Sequence, residues 1–277
     1  MRFIILAIIF ITSFSVSAGG PWLNKKKEGF FQLQSTFPAS AYNRLFLENG
    51  KESILNKSVL DYTVQVYLEY GITDRLDLIS ILPYKFVSTE SSSDTSQTLN
   101  GILNGLSNYK LGFKYQLSDK NIKVATSIQS SFNSISKDLE KGLITGYDAN
   151  SVGLYFHLGK GFSKNIYSFI DLGANIVGND FSNYLDIHYE LGYQIKPSLW
   201  AAFTLDLRES LKNGSYSNNN LKQTGLYTNN QEYFAFGIKA SYELKNKIGF
   251  NIASFGAFSG NYVAKIATFS LGIYTKW

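Results

Sequence analysis

The sequence predicts an all-β chain, a transmembrane antiparallel β-barrel of about twelve strands, and three observations carry that prediction. Apolar and polar residues alternate with period two over segments as long as a tilted strand needs to cross a bilayer, about 9–11 residues. The connections between these segments alternate short and long, as periplasmic turns and extracellular loops do in outer-membrane barrels. Composition agrees: of 277 residues, 16% are aromatic and only 17% charged, against roughly 25% charged in an ordinary soluble domain.

The chain opens with Met1-Arg2, an apolar run from Phe3 to Ile11, and small residues ending Val16-Ser17-Ala18. A positive start, a short apolar core and a small-residue site have the form of a secretory leader, with cleavage expected after Ala18. The apolar run is far shorter than the roughly 20 residues of a spanning helix. Two regions are expected: a leader over 1–18 and a barrel over 19–277.

Strand periodicity is clearest over 60–70, where Leu60, Tyr62, Val64, Val66, Leu68 and Tyr70 alternate with Asp61, Thr63, Gln65, Tyr67 and Glu69. Similar segments lie at 28–37, 76–87, 108–117, 121–132, 151–160, 165–177, 183–195, 198–209, 232–244, 248–258 and 262–277. Short links at 71–75, 118–120, 163–165, 196–198 and 245–247 alternate with polar stretches at 38–58, 88–106, 133–147 and 212–231. The links at 178–182 and 259–261 are short where the scheme allows long ones.

On strands running down to the short turns, the lipid-side parity ends in Tyr70, Tyr115, Tyr193, Tyr242 and Trp277, with a gap near Leu158. Tyr and Trp at one level form an interfacial girdle, apolar ring in lipid and polar tip among headgroups. The amphipathic last strand, closing on Trp277, has the form of a signal to barrel-assembly machinery. Glycines 112, 153, 159, 173, 192, 237 and 272 share the inward parity. There they weaken a strand unless close approach is wanted, so they are expected to let large inward side chains such as Tyr67 and Tyr155 lie across the bore.

Composition excludes several classes. With no Cys, the chain has no disulfide, thiolate metal site or Cys nucleophile. Two His are too few for a His cage, and the net charge of +5 is scattered rather than gathered into a nucleic-acid-binding stripe. No Gly-x-Ser-x-Gly elbow or phosphate-binding glycine loop occurs. His157 lies inward, away from the lipid-side rim where a barrel hydrolase would need it. No catalytic, cofactor-binding or metal-binding residue is therefore assigned, and the chain is read as a non-enzyme.

The inward parity does collect charge: Asp61 and Glu69, Lys110 and Lys114, Asp171, then Asp186, His188 and Glu190 facing Asp206 and Arg208, and finally Lys239 and Glu243. Same-face neighbours lie within roughly 7 Å. Three readings are open: a salt-bridge network bracing a wet lumen, a selectivity constriction formed by Lys110, Lys114, Asp171, Asp186, His188, Glu190, Asp206, Arg208 and Lys239, or a divalent-metal site.

Two stretches carry a resemblance. Pro21-Trp22-x-x-Lys25-Lys26-x-Glu28-Gly29-Phe30-Phe31 and Tyr67-x-Glu69-Tyr70-Gly71-Ile72-Thr73-Asp74-Arg75-Leu76-x-Leu78, running on to Pro83, resemble the XagA-like outer-membrane proteins found beside exopolysaccharide genes. More loosely they resemble the transporter-like barrels of the MetA phenol-degradation pathway. The resemblance spans about the first third of the chain and implies an outer-membrane role, with transport as the usual assignment and no catalytic residue carried over. Gly71 and Asp74 suit a tight turn, and Glu69, Asp74 and Arg75 are expected to brace it, Glu69 reaching Arg75.

Together these observations predict a narrow outer-membrane channel for passive passage of small polar or mildly hydrophobic solutes. The alternative is a non-conducting surface protein associated with polysaccharide through its Asn- and Ser-rich loops. The expected partners are outer-membrane lipid, the assembly machinery through the last strand, and small solutes or surface polysaccharide, without nucleic acid.

Overall fold

The computed structural model describes residues 19–47, 51–91 and 100–277; the expected leader lies outside the described residues. Twelve long strands form the wall: β1 (Gly29–Pro38), β2 (Glu52–Thr73), β3 (Leu76–Ser91), β4 (Tyr109–Asp119), β5 (Lys123–Phe132), β6 (Ser151–Ser163), β7 (Ile166–Val177), β8 (Tyr184–Lys196), β9 (Leu199–Ser210), β10 (Glu232–Glu243), β11 (Ile248–Asn261) and β12 (Ala267–Lys276). Each pairs antiparallel with its sequence neighbour, and β1 pairs with β12 from Phe30↔Lys276 to Pro38↔Thr268. The sheet is closed. All twelve segments read from period-two alternation are present; the second strand runs well beyond its marked segment, to Glu52–Thr73, and the last is shorter, Ala267–Lys276.

The alternation sorts cleanly by face. On β12, Leu271 and Ile273 point outward while Ser270 and Tyr274 are buried; on β11, Phe250 and Ile252 are exposed and Ala253 is buried. An apolar outer face and a polar interior are what a barrel in lipid requires, since the bilayer supplies no partners for backbone or polar side chains. Tyr115, Tyr193, Tyr242 and Trp277 are exposed near the short-turn ends, with Tyr70 half-buried among them. The gap near Leu158 is filled further along: β6 runs on to Ser163, and Phe162, on the same parity as the outward Leu154 and Phe156, is exposed.

The long-loop end is more structured than polar composition suggests. Tyr42–Phe46 pairs with β2, Gly101–Leu106 with β3, and Val263–Ala264 with Tyr42–Phe46, extending the β2–β3 hairpin above the rim. Lys137–Asp138 and Leu143–Ile144 form a small hairpin, and a single helical turn, Asn219–Lys222, is capped by the Asn218 side chain. These loops cover the mouth. Leu143, Ile144, Leu221 and Leu226 pack on Tyr42, Leu45, Leu55, Val59 and Val87, all buried. At roughly 1.5–3 kcal/mol per buried aliphatic side chain, this lid is a second hydrophobic core. At its edge, burial works against ionisation of Asp148, but Lys137 at 2.5 Å and the Asn133 amide hold the carboxyl below its usual range.

An outward charge at mid-strand tests the assignment of faces. Leu271→Arg is expected to destabilise the barrel by about 2–4 kcal/mol, read as a lower urea midpoint for the protein unfolded from lipid vesicles.

Candidate functional site

The lumen is the site, and its first unexpected occupant is the chain itself. Residues 19–28 enter at the short-turn end. Lys27 N–H donates to the Gly71 carbonyl (2.8 Å) and Gly71 N–H to the Glu28 carbonyl (2.9 Å), so the segment adds a partial strand at the rim. Asn24 donates twice to Asp77, through its backbone N–H and its side-chain amide, both at 2.9 Å, and Lys26 N–H donates to Asp74 (3.0 Å). Deeper inside, the Trp22 ring meets Tyr167 and Phe169 edge-on at 5.6 and 5.7 Å. Two glycines make this possible: a Cβ at Gly71 would stand 2.1 Å from the Lys25 carbonyl oxygen, and one at Gly159 would stand 2.7 Å from Pro21.

The turn brace is therefore not the one the sequence suggested. Glu69 has inward parity and is fully buried against Lys114 (3.0 Å), with the Tyr67 hydroxyl donating to it. Arg75 sits exposed on the turn and is tied through its backbone: its N–H donates to Thr73 Oγ1 at 3.1 Å and its carbonyl accepts from the Gln116 N–H at 2.9 Å. The strand pleat sends Glu69 into the bore and leaves Arg75 outside it. Asp74 does hold structure, through the entering segment rather than through the turn.

The inward charges are mostly paired. Arg208 grips Asp186 through Nε (2.9 Å) and Nη2 (3.3 Å), and its guanidinium lies 3.9 Å from the centre of the Tyr184 ring. Lys239 reaches across β9 to Glu190 (2.6 Å), which also accepts from the Tyr167 hydroxyl (2.6 Å). Lys85 holds Asp61, and Lys276 holds Glu243 at 2.5 Å. Lys110 alone of the sequence candidates makes no ion pair among the described residues. No group of three or more His, Asp or Glu converges as metal ligands would, again among the described residues.

Both histidines of the chain fall in one row. Register pairs His157 with Asp171, Asp171 with His188 and His188 with Asp206, so four adjacent strands present His–Asp–His–Asp at one level. Each imidazole Nδ1 bonds the next strand's carboxylate, at 2.8 Å for His157–Asp171 and 2.6 Å for His188–Asp206. Ser127 Oγ lies 2.9 Å from His157 Nε2. Ser127, His157 and Asp171 thus have the order of a nucleophile relay, but Ser127 is buried on a strand paired on both sides. That strand offers no spare backbone N–H donors to receive an oxyanion. The trio braces the wall.

This row opens on a cavity of about 230 Å³, bordered by Gly19, Glu69, Lys114 and Asp186 among others. A second polar cavity of about 200 Å³ lies beyond, lined by Gln32, Glu190, Lys239 and Tyr274, and His188 borders both. Inward aromatics lie against glycines of neighbouring strands, Tyr155 over Gly173 and Tyr167 over Gly192.

No family model matches the sequence, and neither does any curated protein. Solved structures do match in three dimensions. An outer membrane channel from Pseudomonas putida F1 superposes with a TM-score of 0.72 at 15% identity, covering 95% of this chain and 100% of that one. The KdgM porin gives 0.54 at 6% identity over 89% and 98% of the two chains. The NanC porin gives 0.52 at 9% identity over 88% and 98%. At these identities the likeness is one of fold, and with the apolar outer wall it identifies a closed transmembrane barrel of the outer-membrane type.

Two substitutions probe the site. Gly71→Ala is expected to unseat the entering segment, seen as faster tryptic cleavage at Lys25–Lys27 in the folded barrel. Lys114→Ala leaves Glu69 buried and unpaired; a loss of about 3–5 kcal/mol is expected, read as a lower temperature for loss of the folded band on gels.

Proposed function

We propose that the protein is an outer-membrane channel for passive passage of small polar or mildly hydrophobic solutes. One observation carries the reading: inside a closed barrel, two polar cavities lined by charges of both signs meet at His188. The wall does not fill its own bore. What narrows it is the entering segment at one end and the loop lid at the other, and both are built from chain that is separate from the wall. The structural neighbours are themselves described as a channel and as porins, which supports the same class. The resemblance of the first third to transporter-like barrels points the same way, while the polysaccharide-associated alternative gains no support from these neighbours.

Passage through such a lumen is selected by fixed charge and by the size of the constriction. The paired charges make the wall nearly neutral pair by pair, so removing one partner exposes the other. Arg208→Ala frees the Asp186 carboxylate and should move the reversal potential in a salt gradient toward cation preference; an unmoved potential would place Arg208 off the conduction path.

Single-channel recording in a planar bilayer tests the function itself, with a heat-denatured sample as control. Discrete steps lost on heating are expected, and deletion of residues 19–26 should enlarge them several-fold. A folded barrel that is silent both with and without the segment would sink the channel reading.

A further inference from the structure

The 230 Å³ cavity is short of positive charge. Four carboxylates border it, those of Glu69, Asp171, Asp186 and Asp206. Lys114 answers Glu69 and Arg208 answers Asp186. Among the described residues Asp171 and Asp206 meet the imidazole Nδ1 atoms of His157 and His188, and an imidazole, unlike a guanidinium, is not a permanent cation. Two carboxylates in an enclosed lumen without a fixed cation are costly, because water screens them poorly there.

The same cavity is bordered by Gly19. The next residue, Gly20, turns its carbonyl to Lys114 Nζ at 3.4 Å, on the same wall. Gly19 also directly follows the small-residue site Val16-Ser17-Ala18. Hydrolysis of the Ala18–Gly19 peptide bond by a leader peptidase would add water across it. Ala18 keeps the water oxygen as a carboxylate, and the Gly19 nitrogen takes both water protons to become a primary ammonium.

We propose that this new α-ammonium group of Gly19 is the counter-ion of the Asp171/Asp206 row, so that the processed amino terminus is the cation the cavity is built to hold. The proposal rests on the leader reading of residues 1–18. It gives the entering segment two anchors of the same chemistry: carboxylates Asp74 and Asp77 at the rim, and Asp171 and Asp206 within. It also explains why Gly19 and Gly20 adopt positive φ, +120° and +71°; a backbone that glycine reaches without strain brings the terminus against the wall at Phe169, 3.7 Å from the position of a Gly19 Cβ.

The test uses protein purified from the outer membrane of expressing cells. Intact mass should show a chain beginning at Gly19. The folded protein is then exposed to an amine-acylating reagent at neutral pH, and modification of the terminal amine is followed by peptide mass spectrometry against the unfolded chain. Acylation in the folded state should be at least about tenfold slower, the effect of raising an amine's basicity by one pH unit. Its pH dependence should shift above the roughly 7.7–8.0 of a free α-amine.

Asp171→Asn combined with Asp206→Asn should restore most of the lost reactivity while the barrel still migrates as a folded, heat-modifiable band. If the double variant does not fold, Asp206→Asn alone serves with the same readout. A mass beginning elsewhere overturns the leader reading and the proposal with it. A chain beginning at Gly19 whose amine reacts as fast as in the unfolded protein leaves the leader standing and overturns the proposal. Protection that neither variant alters overturns the pairing as well.

Discussion

The closure of β1 onto β12 is the constraint from which the rest of the structure follows. In the hydrocarbon layer an unpaired backbone N–H or C=O has no water to turn to, so an open edge is excluded and the first and last strands must meet. Nine register pairs from Phe30↔Lys276 to Pro38↔Thr268 do this. Closure fixes the parity of every residue, because a one-residue slip would turn the polar interior out to lipid. It also makes the lumen a shared space for twelve strands. A charge such as Glu190 on β8 can then be answered by Lys239 two strands away, and His157 and His188 can be brought level by register alone.

A bore enclosed by twelve strands is wider than side chains alone fill, while eight-stranded barrels are packed solid. The chain deals with the surplus space in three ways. Inward aromatics lie flat against glycines of neighbouring strands, as Tyr155 does on Gly173. Ion pairs line the middle. Segments outside the wall occupy the ends, residues 19–28 at the short-turn end and an apolar loop lid at the other. Of the two cavities that remain, one is bordered by wall and segment together and the other by the wall alone.

The wall was legible in the sequence because lipid imposes a local rule: alternate residues face opposite solvents, and strands such as 60–70 repeat it without interruption. The lumen was half legible. Parity marked Asp186, His188, Glu190, Asp206 and Arg208 as one inward group, and register then divided them into partners. Lys114 and Glu69 could not be matched from spacing, since they lie on β4 and β2 with β3 between them. The lid was hidden by composition: Leu143-Ile144 and Leu221 are short apolar interruptions in polar stretches, and only their convergence from separate loops makes a core. The entering segment has no periodicity to announce it.

A signal for that segment was nonetheless present. The two stretches that carry the family resemblance, around Pro21–Phe31 and Tyr67–Pro83, are not independent features. In the fold they are the two halves of one contact: Asn24 on Asp77, Lys26 on Asp74, and Lys27 and Glu28 paired with Gly71. Gly71 is glycine because a backbone carbonyl lies where its side chain would be, and Asp77 is a fully buried carboxylate because an amide and a backbone N–H reach it. Read as a tight turn, Gly71-Ile72-Thr73-Asp74-Arg75 needs only Gly and Asp; read as a docking site, it also accounts for the acid at 77 and the glycine at 159. A motif that is over-specified for its local turn is therefore evidence of a distant partner. Here the partner is the segment that narrows the bore.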